Sequence, residues 1–178
     1  MSAGSTPETR DRPPAPTGAE QLGRMELSSL LQPNAVKVFG QMTSKKRLFQ
    51  DLAEIAQAAY GLNASDTVDA LQERESLGPT GVGHGVALPH ARLHGLPKVV
   101  GVFVRLEKPL DFDSVDRQPV DLVFALFAPK DSGVDHLKAL ALVSRTMRDP
   151  AVCAKLRANT DPAALHAVLT SARSNQAA

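Results

Sequence analysis

Histidines are the residues of this chain best suited to carry chemistry, and three of the five lie close together in the sequence. His84, His90 and His94 fall within and just after a glycine-rich stretch, Gly78–Gly85. Successive glycines allow backbone N–H groups to converge on an anion. A neutral imidazole is available near pH 7 and can carry a covalent group. These residues suggest a nucleophilic histidine beside an anion-binding loop, although a glycine-rich loop with a histidine is more often only a loop.

A longer pattern ends at His90 and favours the chemical interpretation. Glu75 is followed after six residues by Val82-Gly83, and after two more by Val86-Ala87-Leu88-Pro89-His90-Ala91. This pattern, E-x(6)-V-G-x(2)-V-A-L-P-H-A, resembles the active-site signature of the mannitol/fructose-type enzyme IIA proteins of the bacterial phosphotransferase system. Two further segments are similar to that family: Arg74–Gly81 before the loop, and Asp135–Leu140 around a second histidine.

The resemblance implies roles for three side chains. His90 would accept a phosphoryl group from a histidine-containing carrier protein of the HPr-like or NPr-like type. His136 would contact that group, and Arg74 would neutralise its charge, for which a guanidinium is well suited. Phosphoryl transfer requires positioning and charge neutralisation more than covalent chemistry from the protein. The resemblance implies an enzyme only in a limited sense, as a component of the phosphotransferase system that forms a phosphohistidine intermediate.

The glycine-rich loop is expected to supply contacts to the bound group. Four residues are predicted for this role: Thr80, Gly81, Gly83 and Gly85. The family pattern leaves His84 and His94 open, so both are predicted to be exposed loop histidines, and His166 is predicted to lie on a surface helix. A metal site built from His84, His90 and His94 is an alternative, but no cysteine lies nearby and the signature already explains His90. The sequence therefore predicts neither a metal nor another cofactor.

Two subclasses of the family, and one function outside it, fit the sequence. A sugar-specific IIA domain passes phosphate to a IIB partner during sugar uptake, whereas the nitrogen-related IIA protein controls regulatory target proteins according to its phosphorylation state. The chain includes no IIB or IIC domain, and Thr43–Arg47 before an amphipathic helix resembles the nitrogen-related type, so we favour the regulator. An interaction module that has lost phosphotransfer would lack His90, Arg74 or His136, and all three are present.

The composition excludes several other classes of protein. Hydrophobic residues make up 43% of the chain and charged residues 22%, and the formal net charge is +1, without the basic excess of a nucleic-acid binder. No stretch approaches the ~18 apolar residues of a membrane span, so no membrane insertion is expected. Cys153, the single cysteine, cannot form an internal disulfide, and we predict a reducing, cytoplasmic location.

Alternating strand-like and helix-like patterns predict an α/β fold for residues 25–171. We expect a single domain in which helices flank both faces of a mixed β-sheet. Its central strands are expected at the nearly continuous apolar runs Val99–Leu106 and Val120–Ala128. The proline-rich segment 1–24 is predicted to be a disordered N-terminal extension, and 172–178 a flexible C-terminal tail.

Shorter elements must position the histidines. Strands are predicted at Val36–Val38 and Val86–Leu88, the second ended by Pro89, so that His90 would lie in a loop. Helices are predicted at about 44–60, 66–76, 133–148, 150–158 and 162–171. The helix at about 133–148 is predicted from an apolar stripe of Val134, Leu137, Ala141 and Ser144, with Leu140 and Met147 beside it. Three cations, Lys45–Arg47, open the first helix and are interpreted as a solvated face or, alternatively, a docking patch.

Overall fold

A computed structural model describes residues 25–171 as a six-stranded mixed sheet with its helices. The strands are β1 (Val36–Phe39), β2 (Gly81–Gly83), β3 (Val86–Ala87), β4 (His90–Leu93), β5 (Val100–Leu110) and β6 (Val120–Pro129). Their order is β1-β5-β6-β3-β2, and β4 also pairs with β6. The predicted disordered extension 1–24 and flexible tail 172–178 lie outside the described residues.

The two long strands form the middle of the sheet. β5 and β6 are antiparallel neighbours in which Phe103 pairs with Phe124, and both phenylalanines are fully buried. β1 runs parallel to β5 on one side, and β3 runs parallel to β6 on the other. The prediction that the two apolar runs form central strands is therefore confirmed, and β5 extends beyond the predicted run to Leu110.

The helices form two layers. They are α1 (Leu27–Leu30), α2 (Lys45–Tyr60), α3 (Ala64–Ser76), α4 (Val134–Arg148), α5 (Pro150–Arg157) and α6 (Pro162–Ser171). α2 and α3 pack on each other and against β5 and β4, while α4, α5 and α6 pack in series and contact β6 and β1. The predicted sheet with helices on both faces is confirmed. Within the described range, no helix is both long enough and apolar enough to cross a membrane.

Local capping signals set the helix ends near the site. The Ser44 side chain accepts a hydrogen bond from the Arg47 N–H at the start of α2, and Gly61 ends that helix with a φ of 73°. The Asn63 side chain accepts a hydrogen bond from the Asp66 N–H, so α3 begins two residues before the predicted start. This asparagine is the N-cap that the prediction overlooked.

The apolar stripe that predicted α4 is not the side of the helix that is buried. Val134 and Leu137 are 56% and 62% exposed, and Ala141 is also exposed. The buried residues of this helix are His136, Ala139, Leu142, Val143, Thr146 and Met147. α4 carries apolar residues on two sides, and helical periodicity alone does not tell which side meets the sheet. As a result His136 faces the interior.

Tyr60 fixes the N-terminal part of the described chain to the sheet. Its hydroxyl donates to the Gly101 carbonyl at 2.7 Å and accepts from the Gln32 N–H at 3.0 Å. Burial raises the pKa of this phenol, since burial disfavours the charged form. One side chain thus joins the end of α2, strand β5 and the segment that follows α1.

Candidate functional site

His90 is the first residue of β4, so the prediction that it lies in a loop was wrong. β3 and β4 run one after the other beside β6, with His90 in register with Leu126. Pro89 has no N–H to donate, but its carbonyl accepts a hydrogen bond from the Leu126 N–H at 2.9 Å. The proline therefore interrupts the strand without ending its pairing with β6, and the histidine is held by the sheet.

Hydrogen bonds define the state of the His90 ring. Nδ1 lies 2.9 Å from the Leu88 carbonyl oxygen, and because a carbonyl can only accept, Nδ1 carries the proton of the neutral ring. Nε2 accepts a hydrogen bond from Nε of Arg74 at 3.2 Å. Burial lowers the pKa of His90 and outweighs the opposing hydrogen bond to Leu88, and the Arg74 cation lowers the pKa further. The ring is therefore neutral near pH 7, with the lone pair on Nε2.

Arg74 lies in the last turn of α3 and is held at two points. Its Nε donates to His90, while its Nη1 donates to the Gly78 carbonyl at 2.9 Å. The guanidinium thus connects the end of the helix, the backbone that follows it and the imidazole. This geometry places a permanent cation against Nε2.

His136 lies across the cavity from His90. The two ring centroids are 5.7 Å apart, with 51° between the ring planes. His136 is 6% exposed, and its buried Nδ1 has no hydrogen-bond partner among the described residues. Burial lowers its pKa, and the nearby His90 and Arg92 lower it further. The structure thus brings together the three side chains predicted for chemistry, with both imidazoles neutral.

Two further cations line the cavity, and sequence reasoning missed both. Arg92 and Lys130 join Arg74 on the wall around His90, where the only carboxylate lining the described cavity is that of Glu73. Nη1 of Arg92 donates to the Lys130 carbonyl at 3.3 Å. Arg92 stands two residues after His90 and so shares its face of the strand, a relation that becomes visible only once β4 is known. The cavity is positively charged and suits an anion.

A buried carboxylate supports the turn that carries Arg74. The side chain of Glu75 is 8% exposed, accepts from the Thr80 N–H at 3.0 Å and forms an ion pair with Lys45 Nζ at 2.9 Å. Lys45 Nζ also donates to the Phe112 carbonyl at 3.1 Å and lies 4.7 Å from the centroid of the Phe112 ring. Lys45 therefore belongs neither to a solvated face nor to a docking patch, because it links α2 to the end of α3.

The glycine-rich loop lies beside the cavity but does not line it. None of its four predicted contact residues is among the lining residues: Thr80, Gly81, Gly83 and Gly85. Gly81 packs so closely on Ser114 that a Cβ would lie 2.2 Å from the serine Oγ. Gly85 has a φ of 77°, and a Cβ there would lie 2.5 Å from Nη2 of Arg157. These glycines allow the β2–β3 hairpin to approach its neighbours.

The other histidines do not join the site. His84 and His94 are exposed, which confirms their prediction. His166 lies on α6 but is half-buried, with Nε2 at 2.9 Å from the Leu31 carbonyl. Across residues 25–171 no three His, Cys, Asp or Glu side chains converge as a metal site would require, and Cys153 is buried and free.

Comparisons with known proteins agree on one family. Residues 29–172 match the family described as phosphoenolpyruvate-dependent sugar phosphotransferase system, EIIA 2. The nitrogen regulatory protein of Bradyrhizobium diazoefficiens is 46% identical over 145 residues, which cover 82% of this chain and 95% of that protein. The nitrogen regulatory protein of Klebsiella oxytoca is 39% identical over 155 residues, 86% of this chain and 96% of that protein. The crystal structure of nitrogen regulatory protein IIA-Ntr from Neisseria meningitidis superposes with a TM-score of 0.73 at 31% identity, covering 80% of this chain and 97% of that one.

Proposed function

This chain belongs to the EIIA 2 family of the phosphoenolpyruvate-dependent sugar phosphotransferase system, and from that premise we propose that it is a regulatory phosphocarrier. His90 accepts a phosphoryl group from a histidine-containing carrier protein, and the two forms of the chain differ in affinity for regulatory target proteins. The similarity to nitrogen regulatory proteins supports the nitrogen-related branch. The proposed reaction takes place in the cytoplasm, since a chain whose single cysteine is free does not depend on the oxidising conditions that disulfides require.

The observation that carries the proposal is the hydrogen bonding of the His90 ring. With the proton on Nδ1 held by the Leu88 carbonyl, Nε2 carries the lone pair and can attack without prior loss of a proton. The Nε2–P bond forms as the N–P bond of the donor histidine breaks, and the donor ring keeps the electron pair of that bond. Because its pKa is lowered, His90 stays neutral at pH values at which an exposed histidine would already be protonated.

Arg74 has a different role before and after transfer. In the structure its Nε donates to the Nε2 that the phosphoryl group would occupy, so this hydrogen bond must break when the donor docks. Its other contact, to the Gly78 carbonyl, can hold the guanidinium close by while its N–H groups turn to the phosphoryl oxygens. Together with Arg92 and Lys130 it would balance the roughly −1.5 to −2 charges of the phosphoryl group.

His136 would contact the phosphoryl group without adding a fixed charge. Its pKa is lowered, chiefly by burial, so the ring is neutral and offers a single N–H donor. A neutral donor stabilises the phosphoryl group less than another cation would. This suits a carrier, which must pass on both the group and its signal rather than retain the phosphate.

The proposal is tested by incubating the chain with phosphoenolpyruvate and purified carrier proteins of a phosphotransferase system, and measuring acid-labile phosphate. Wild type should become labelled with acid-labile phosphate, and His90→Ala should not. His84→Ala removes an exposed histidine and is the matched control, expected to be labelled like wild type. Nitrogen-15 NMR of the labelled protein should place phosphorus on Nε2. Labelling of His90→Ala at the wild-type level would exclude His90 as the acceptor.

The same assay separates the alternatives. The family description names a sugar phosphotransferase system, so a sugar-specific carrier is the second candidate. Transfer of phosphate from the labelled chain to a IIB partner would favour sugar uptake, whereas a labelled chain that no IIB partner discharges favours the regulator. Wild type that stays unlabelled in the presence of active carriers would indicate an interaction module without phosphotransfer.

The regulatory output is expected to depend on electrostatics. A tenfold preference of a target protein for one form requires a difference of only ~1.4 kcal/mol. One charge-assisted hydrogen bond to the phosphoryl group, at ~1.5–3 kcal/mol, could supply that difference. Affinities of a regulatory target for the phosphorylated chain, the unphosphorylated chain and His90→Asp, measured over a range of salt concentrations, test this step. Equal affinities for the first two forms at every salt concentration would contradict it.

A further inference from the structure

A second cleft lies between the β2–β3 hairpin and helices α4 and α5. Its volume is about 960 Å³, near the upper end of the ~300–1,000 Å³ typical of small-molecule sites. None of the residues that line it lines the cavity around His90. The cleft is therefore a separate feature of the surface, for which the proposed function has no use.

The floor of the cleft is apolar and its edge is positively charged. Four buried residues form the floor: Val86, Leu88, Met147 and Cys153. Arg148 and Arg157 also line the cleft, and no carboxylate does so within the described chain. Arg157 already forms a bidentate ion pair with Asp121 at 2.8 and 2.9 Å. Nη2 of Arg148 has the Ser144 hydroxyl at 2.8 Å as its partner, so its positive charge is not neutralised there.

We propose that this cleft binds an amphipathic monoanion, a molecule with one carboxylate-type or sulfonate-type head group on an apolar body. The apolar body would cover the floor, which favours binding by removing apolar surface from water. The head group would meet Arg148, whose guanidinium can donate two N–H groups to one carboxylate. A cationic amphiphile of the same shape would meet two arginines and no carboxylate in the lining, which disfavours it.

The position of the cleft gives the site a connection to His90. Leu88 lines the cleft, and its carbonyl is the group that accepts from Nδ1 of His90. A ligand in the cleft would thus lie against the residue that fixes the imidazole. Binding itself requires no phosphoryl transfer, so it can be measured whether or not His90 is phosphorylated.

The binding test uses the full chain with anilinonaphthalenesulfonate, a fluorescent aromatic monoanion. Fluorescence titration measures its affinity, and octanoate and octylammonium, which share the same alkyl chain and differ in charge, then compete with it. The concentration of octanoate that displaces the dye should be at least roughly threefold lower than that of octylammonium, as expected for one partly exposed ion pair. Equal displacement by the two competitors, or no saturable binding of the dye, would overturn the proposal.

Two pairs of variants locate the site. Ala154→Phe places a ring in the cleft from an exposed position on α5, and Ala151→Phe places the same ring on that helix outside the cleft. Arg148→Gln removes the cleft cation, and Arg145→Gln removes an exposed cation of α4 that does not line the cleft. The first member of each pair should weaken binding of the dye, and the second should match wild type. Equal affinities within both pairs would place the dye elsewhere and overturn the assignment.

A third measurement covers the case in which Ala154→Phe does not fold, which circular dichroism would reveal. Octanoate is then titrated into isotope-labelled wild type, and amide shifts are followed by NMR. The largest shifts should fall at Leu88, Met147 and Cys153, on the floor of the cleft. Saturable shifts confined to other parts of the chain would overturn the proposal.

Discussion

The glycine-rich β2–β3 hairpin lies within the stretch of sequence, residues 70–92, that supplies most of the cavity around His90, to which Lys130 and His136 are added. The two regions nevertheless depend on opposite properties of their residues. In the cavity, side chains matter, since the proposed function assigns the nucleophile to His90 and a neutralising cation to Arg74, which are hydrogen-bonded to each other. In the hairpin, missing side chains matter, since Gly81 and Gly85 allow close contact with Ser114 and Arg157. A signature of this kind thus combines chemistry and architecture, and a residue in it need not contact the substrate.

This difference separates the expected effects of mutation. Removing a side chain from the cavity should change phosphorylation with little effect on stability. Adding a side chain to the hairpin should change stability with little effect on phosphorylation of the molecules that remain folded.

The largest effect on activity is expected for His90→Ala. Phosphorylation should fall to background because no other histidine is placed to accept the group with the same hydrogen bonds. The free energy of unfolding should change by only about 1 kcal/mol, since the half-buried ring makes two hydrogen bonds. Acid-labile phosphate and urea unfolding measure the two quantities. If His90→Ala lost phosphorylation because it unfolds, the prediction that cavity residues affect activity and not stability would be contradicted.

The largest effect on stability is expected for Gly81→Ala. The new Cβ would lie 2.2 Å from Oγ and 3.1 Å from Cα of Ser114, so the variant should lose about 2–3 kcal/mol of folding free energy. Ser114→Gly should restore part of the loss, because the closest atom is then absent and Ser114 Oγ has no hydrogen bond to lose. Urea unfolding of both variants provides the measurement. A stable Gly81→Ala protein that cannot be phosphorylated would instead support the predicted role of this loop in phosphate contact.

An intermediate effect is expected for Lys45→Met, which removes the cationic partner of Glu75. The buried carboxylate would keep its bonds to Thr80 but lose its ion pair, at a cost of about 2 kcal/mol. Phosphorylation should slow several-fold, because the turn that holds Arg74 is then less well fixed. Lys46→Met, at the exposed neighbouring position, is the matched control and should change neither quantity. Identical stabilities for the two variants would show that the network is dispensable.

The smallest effect concerns pH. Burial lowers the pKa of both His90 and His136 in the folded chain, so the unfolded chain binds protons more readily. Their contribution to stability is fully present above the ordinary histidine pKa of ~6.5 and is lost as the pH falls below it. Wild type should therefore lose more thermal stability between about pH 7.5 and 5.5 than a His90→Gln/His136→Gln double variant. His94→Gln, which changes an exposed loop residue, should behave like wild type.

Much of the site could be predicted because its residues lie in or near local motifs. The spacing of Glu75 to His90 singled out the phosphorylation candidate, and the structure brings Arg74 and His136 to its ring. The central strands could also be predicted, because burial on both faces leaves a continuous apolar run. For the strands the physical cause acts over a few neighbouring residues, whereas His90, Arg74 and His136 were identified because their local motifs resemble those of the family.

The remainder depends on contacts between distant parts of the chain. Lys45 and Glu75 are 30 residues apart, so their ion pair leaves no local pattern. β4 was missed because Pro89 normally ends a strand, whereas here its carbonyl continues the pairing with β6. The buried side of α4 was misjudged because Val134 and Leu137 are as apolar as the residues that pack on the sheet.

Tyr60 gives the protein an optical property that follows from its place in the fold. The chain has one tyrosine and no tryptophan, so Tyr60 dominates absorption and emission in the near ultraviolet. Its hydroxyl is held by Gly101 and Gln32, at the junction of α2, β5 and the N-terminal part of the described chain. Its fluorescence therefore reports separation of that segment from the sheet. A variant that loses phosphorylation while its tyrosine emission is unchanged has kept this junction closed.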